Sequence, residues 1–162
     1  MKHLLSAALL ALALLLPTAA LCADVSVTAG NVRTSDYAVI APGVAGETIT
    51  AGQVLFLSSA DDRYYLADVN AAGETLIAGI AVSGAAAGQR LLVCIEDPDF
   101  TPGFTLSTSA PVYVASATAG GIAPVADVTT GWYCTVIMVA KSTTKAAFRA
   151  RGLASGSAAT AP

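Results

Sequence analysis

The sequence predicts an all-β domain, a small β-barrel or sandwich, preceded by a hydrophobic leader helix. Three observations predict it. Short apolar runs alternate with Gly, Asp and Pro turns at the roughly 8–12-residue spacing of sandwiches and barrels. Beyond the leader, no segment keeps a helical period over about 12 residues. One β-motif is also written twice, about 58 residues apart. Gly46-Glu47-Thr48-Ile49 answers to Gly103-Phe104-Thr105-Leu106, and Gln53-Val54-Leu55-Phe56-Leu57 to Pro111-Val112-Tyr113-Val114-Ala115. Ala67-Asp68-Val69 answers to Ala126-Asp127-Val128. Gly73 before residues 76–82 answers to Gly131 before residues 134–140. Two units are too few for a solenoid, so the repeat implies one pseudo-symmetric domain.

The elements follow in order. Residues 1–23 have the layout of a secretory signal peptide: Lys2 and His3, an apolar run over residues 4–16, Pro17, then small residues to Ala23. Cleavage is expected after Ala23, with Cys22 and Ala20 as alternative sites. Residues 4–23 are also about the length of a spanning helix, so an uncleaved leader would serve as an anchor. A lipoprotein site at Cys22 would need a small residue where Leu21 stands. Residues 24–36 read as an extended arm, partly mobile, with alternation at Val25-Ser26-Val27-Thr28. The β-domain is expected over 37–151, with repeat units at about 46–95 and 103–150.

Within it, Val39-Ile40, residues 54–57 and Tyr64-Tyr65-Leu66-Ala67 are strands, the last two joined by a turn at Asp61-Asp62-Arg63. Residues 76–82 form a strand whose Gly79 marks a bulge or a close backbone approach. Residues 89–95 form another. Asp97-Pro98-Asp99 and Thr101-Pro102-Gly103 read as the loop joining the units. The second unit gives a strand at 112–114, a turn at Ala119-Gly120-Gly121 and a return strand at 122–125. Pro124 makes that strand an edge. Residues 135–140 and 146–149 are the last strands. Residues 152–162 are small and polar and are expected to form a flexible tail.

Composition narrows the function. The hydrophobic fraction of 55% is inflated by the leader and by alanine. Without the leader, seven basic residues face eleven acidic ones, so the domain has no field to attract nucleic acid. The single histidine is His3, in the leader. The remaining chain therefore lacks histidine for nucleophile pairs or for metal ligation. Asp61, Asp62, Asp97 and Asp99 lie in turn-like sequence, where aspartate caps backbone groups. Glu96, Asp97 and Asp99 offer oxygen ligands for calcium, without the register of a calcium loop. Asp68 and Asp127 hold equivalent repeat positions and read as turn residues. The expectation is no enzyme, no cofactor and no metal.

Other residues are candidates for contact. Cys94 and Cys134, both in apolar strand-like runs, are a candidate disulfide or two buried thiols. Tyr64, Tyr65, Trp132 and Tyr133 suit a core, a protein interface or a sugar site. Lys141, Lys145, Arg149 and Arg151 crowd the C-terminal end, where no acid follows Asp127. They read as a solvated edge or as a contact for an acidic partner surface.

Four stretches resemble the small capsid-decoration, or cement, proteins of tailed bacteriophages. They are Glu47-Thr48-Ile49-Thr50-Ala51-Gly52-Gln53-Val54, Ile77-Ala78-Gly79-Ile80-Ala81-Val82, Ala86-Ala87-Gly88-Gln89, and Gly131 followed by Thr135-Val136-Ile137-Met138-Val139-Ala140. The resemblance covers about Gly46 to Arg149. It implies a virion protein, often a homotrimer, that sits on the head surface. Its partners would be the major capsid protein and copies of itself. It brings no catalytic residues. The leader departs from this pattern, because it looks exported while heads assemble in the cytoplasm. It supports the alternative of a secreted or periplasmic binding module, for carbohydrate or a surface ligand. Only the leader, if uncleaved, would meet a membrane.

Overall fold

The computed structural model of the protein describes residues 24–71 and 74–150. The leader, Gly73, Arg151 and the 152–162 tail lie outside the described residues. Ten strands form: β1 (Val32–Arg33), β2 (Val39–Val44), β3 (Val54–Leu57), β4 (Tyr64–Leu66), β5 (Ile77–Ala81), β6 (Arg90–Pro102), β7 (Val112–Ala115), β8 (Ile122–Pro124), β9 (Val136–Ala140) and β10 (Ala146–Arg149). Two 3-10 turns, Ala29–Asn31 and Val125–Asp127, are the helical elements among the described residues. All pairings between strands are antiparallel, in the order β4-β3-β5-β6-β10-β9-β7-β8, and the sheet curls into a half-barrel.

β6 organises the sheet. Along one edge it pairs with β2 and then β1. Along the other it pairs with β5 at Val93 and Cys94, then with β10 from Glu96 to Phe100. The segment expected to be a loop, Asp97-Pro98-Asp99, is therefore inside the longest strand. What resembled a loop is a β-bulge. Phe148 faces Asp97 and Ala146 faces Phe100, so β6 carries an extra residue there. A bulge tolerates Pro98, which has no N–H to give to a ladder. Asp97 is fully buried. Its carboxyl accepts from the Asp99 N–H (2.9 Å), the Ser35 N–H (2.7 Å) and the Ser35 hydroxyl (2.5 Å).

Those last two bonds tie down the N-terminal arm, which is docked on its own domain. Val25 N–H donates to the Ile122 carbonyl and Thr28 N–H to the Gly103 carbonyl, both at 2.9 Å. Ser116 Oγ donates to Asp24. Val25 and Val27 pack against the main core. The alternation of Val25 and Val27 thus marks a buried stripe rather than a strand of the sheet.

One pairing plan occurs twice. Leu55, Phe56 and Leu57 of β3 face Leu66, Tyr65 and Tyr64 of β4. Tyr113, Val114 and Ala115, each 58 positions on, face Pro124, Ala123 and Ile122. On the other edge, Val54 and Leu55 face Ile80 and Gly79, then the register slips so that Phe56 faces Ile77. Val112 and Tyr113 face Val139 and Met138, then slip in the same place so that Val114 faces Val136. The turns match as well. Ser58 Oγ accepts from the Ala60 N–H, and Ser116 Oγ from the Thr118 N–H. Asp62 (φ 54°) and Gly120 (φ 73°) take the left-handed position.

A smaller correspondence closes the first unit. Thr50-Ala51-Gly52-Gln53 and Ala86-Ala87-Gly88-Gln89 are the same turn, each with its Gln Oε1 accepting from the first N–H, at 2.7 and 3.0 Å. Gly52 N–H donates to Ala81 O and Gly88 N–H to Ala45 O, both at 2.7 Å. Ile49 and Ala85 exchange two backbone bonds between them. This double loop belongs to a second core of Ala45, Ile49, Leu55, Tyr64, Ala81, Ala85, Leu91 and Val93. The main core includes Phe100, Phe148, Tyr113, Trp132, Ile80 and Met138.

The ends of the sheet meet through the β7–β8 turn. Gly120 N–H donates to Ala67 O (2.8 Å), and Val54 N–H donates to Gly120 O (3.0 Å). Edges that would accept another strand are guarded. On β4, Gly46 N–H caps Tyr64 O and the Glu47 carboxyl accepts from Leu66 N–H. β8 carries Pro124 and is bonded by Val25. β2 carries Pro42, which has no N–H for an incoming partner.

Two stability effects follow. Asp97→Ala strands the Ser35 and Asp99 donors, so chemical denaturation should show a loss of about 2–3 kcal/mol. Gly79→Ala would place a Cβ 2.3 Å from Val93 Cγ1 and 2.5 Å from the Cys94 carbonyl oxygen. It should cost about 1–3 kcal/mol or more, whereas Gly30→Ala, with nothing within 4 Å, should stay within about 0.5 kcal/mol.

Candidate interaction surface

The two repeats differ in what covers them. In the first, the partners Val54 and Ile80 are both 0% exposed. In the second, their equivalents are Val112, half-buried, and Val139, 42% exposed. Ala147 of β10 faces Val139 from the other side, so Val112, Val139 and Ala147 form one row across three strands. Val136 is 45% exposed nearby. These strands form because branched apolar side chains favour a pleated, half-covered surface. Nothing in the described chain covers this row.

The row borders an open groove of about 580 Å³, lined by Glu96, Pro98, Cys134, Val136, Val139 and Arg149 among others. Its rim is polar and charge-balanced. Arg149 Nε lies 3.3 Å from Glu96 Oε2. Farther along, Lys141 Nζ lies 2.5 Å from Asp99 Oδ1 and donates to the Pro98 carbonyl. These exposed pairs add little stability, about 0–1 kcal/mol each. Their effect is to cancel charge beside an apolar strip, the arrangement of a small interface with a polar rim.

The structure separates the residues singled out from sequence. Trp132 and Tyr64 are buried at 6% and 9% exposure, so they serve the core and offer no face to a sugar or a partner. Tyr64 lies where a Cβ on Gly43 would fall, which explains the glycine in β2. Tyr65 is half-buried, stacks on Phe56 at 5.9 Å and donates its hydroxyl to Asp61 at 2.8 Å. That bond holds the Asp61 carboxyl below its usual range and raises the Tyr65 phenol. Tyr133 is half-buried against the core, its N–H bonded to Val69 O.

The basic group is not a free patch. Lys141 and Arg149 are paired with acids, and Lys145 Nζ donates to Thr101 Oγ1 at 2.8 Å. Arg151 is outside the described residues. The acidic candidates are dispersed in the same way. Glu96 meets Arg149, Asp97 holds Ser35, and Asp99 meets Lys141, so they do not converge on a cation. Asp68 caps the Asn70 N–H, and Asp127 sits in the second 3-10 turn.

Cys94 and Cys134 are free thiols, and the candidate disulfide is not formed. Cys94 is on β6 and Cys134 just precedes β9, with β10 between those strands. Two strand spacings, about 9–10 Å, exceed the span of a disulfide. Cys94 is buried and Cys134 exposed. Burial first, then the Asp97 charge, pushes the Cys94 thiol up to about 12. Burial also raises Cys134.

The exposure of Val136 and Val139 was not legible in sequence for a clear reason. The run Val136-Ile137-Met138-Val139 reads as a strand covered on both faces. Its equivalence to residues 77–80, which are covered, reinforces that reading. Only the missing cover distinguishes them.

In protein lacking residues 1–23, one thiol per chain, Cys134, should react with a maleimide in the native state, and Cys94 only after unfolding. The unfolded chain releases the Cys94 proton from about pH 9, whereas the folded chain holds it to about pH 12. Stability from this group is therefore complete below pH 9. It should fall by up to about 1.4 kcal/mol per pH unit between the two values, and Cys94→Ala should remove that part of the alkaline slope, leaving the parts due to Cys134, Tyr64 and Tyr65.

Among described residues, no helix is long and apolar enough to cross a membrane. Compared with protein-family models, curated proteins and solved structures, the chain finds no match.

Proposed function

We propose that this chain is a structural subunit of a phage head, a capsid-decoration or cement protein acting through protein–protein contacts. The observation that carries this reading is the uncovered row Val112, Val139 and Ala147 beside a charge-balanced rim. An apolar strip of this kind is normally covered in working assemblies. Its partners in this reading are the major capsid protein and copies of itself in a trimer, on the virion surface. The two-unit half-barrel supplies a rigid block, and the guarded edges of β2, β4 and β8 direct contact to a face instead of to an added strand.

A secreted or periplasmic binding module is the second reading, favoured by the signal-peptide layout of residues 1–23. A sugar site built on Trp132 is not part of it, since that ring is buried.

Mass spectrometry and negative-stain microscopy of purified particles test the first reading. The chain should be present in stoichiometric amounts on the head. Its absence from particles would sink the proposal. Val139→Asp should weaken particle association by at least about tenfold while changing stability by no more than about 1 kcal/mol, because the side chain is exposed in the free subunit.

A further inference from the structure

A second groove is lined by one cation, Arg33, and bordered by another, Lys145, and neither makes an ion pair among the described residues. It has a volume of about 630 Å³, within the range of small-ligand sites, and shares no lining residue with the first. Ser26, Thr28, Asn31, Arg33, Thr101 and Thr105 line it, with Phe104 in its wall. The docked arm forms one side and the end of β6 the other.

Two basic residues flank Thr101, and the Arg33 guanidinium spends one N–H on the Val32 carbonyl at 2.7 Å. Arg33 is the register partner of Thr101 across β1 and β6. Lys145, half-buried, donates from Nζ to the Thr101 hydroxyl at 2.8 Å. Neither Arg33 nor Lys145 has an ion pair among the described residues, where the pairs are Arg63–Asp61, Lys141–Asp99 and Arg149–Glu96. All eleven acidic side chains of the chain are described, and none of them is within ion-pair distance of Arg33 or Lys145. Of the acids near Thr101 in sequence, Asp97 is held by Ser35 and Asp99 by Lys141, while Asp36, three residues from Arg33, makes no ion pair with it. An anion received beside Thr101 would gain charge-assisted bonds from these unpaired cations.

The rest of the lining defines the ligand further. An acidic peptide brings carboxylates and backbone amides, whereas a saccharide brings hydroxyls at most of its positions. This groove offers several hydroxyls and one amide, which both donate and accept. That suits a ligand with many hydroxyls of its own. Phe104 is held edge-on against Tyr113, with ring centroids 5.4 Å apart, so an apolar ring is fixed beside the polar floor.

We propose that this groove binds an anionic saccharide. Arg33 and Lys145 take its carboxylate or sulfate groups, and the hydroxyls and Asn31 take its sugar hydroxyls. The inference does not depend on the head-surface reading, because it uses a different part of the molecule.

Calorimetric titration of the protein with an oligouronate, a sulfated oligosaccharide, a neutral oligoglucose and an oligoglutamate tests it. One or both anionic sugars should bind at least tenfold more tightly than the neutral one, and more weakly as salt is raised. Arg33→Gln and Lys145→Gln should each reduce that affinity about tenfold, with unchanged circular dichroism. Arg90→Gln, outside the groove, should leave it unaltered. Failure of both anionic sugars to bind overturns the proposal. Oligoglutamate binding as tightly as the sugars overturns the saccharide assignment and makes the groove an acidic-peptide site. The two sugars together separate carboxylate from sulfate recognition.

Discussion

The structure turns on a buried carboxyl group. Asp97 sits at the bulge of β6, the strand that joins both halves of the sheet and both of its chain ends. A buried polar group is costly unless its bonds are made. Here they come from Asp99 in the same bulge and from Ser35 in the arm. One side chain therefore ties the local bend of β6 to the arm at Ser35. The bend lets β6 pair with β5 before it and β10 after it on the same edge. The docked arm, in turn, brings Val25 and Val27 to the core and Arg33 to Thr101.

Around β6 the two units obey one plan with different surroundings. The register slip in β3 against β5 recurs in β7 against β9, which shows that the bulge belongs to the unit itself. What differs is burial. Val54 and Ile80 are enclosed, while Val112 and Val139 retain exposure. Broken equivalence of this kind locates a surface without reference to any reactive group.

Contact through faces is also what the edges favour. Pro42, Pro124 and the Glu47 carboxyl each withhold or occupy the backbone groups that an extra strand would need. The arm, expected to be partly mobile, is docked on its own domain. The arm has already spent its hydrogen bonds on Ile122, Gly103 and Asp97. Surface charge is similarly committed along β10, leaving Arg33, Arg90 and Lys145 as the described cations without an ion pair.

Sequence by itself determined the all-β class, the strand positions near residues 54–57, 64–66, 77–81, 112–115 and 146–149, and the spacing of the repeated motif. These depend on local alternation and turn chemistry, which are written residue by residue. It also showed that residues 24–162 hold no histidine, which folding cannot supply. Only the tertiary structure decided that Asp97-Pro98-Asp99 is a bulge, since its bonds come from Ser35, far away in the chain. Only it decided that Trp132 is core, that Cys94 and Cys134 are two strands apart, and that Val139 faces outward while Ile80 does not. Burial is a property of what lies opposite. In an antiparallel half-barrel that neighbour is set by strand order and curl, and local sequence carries neither.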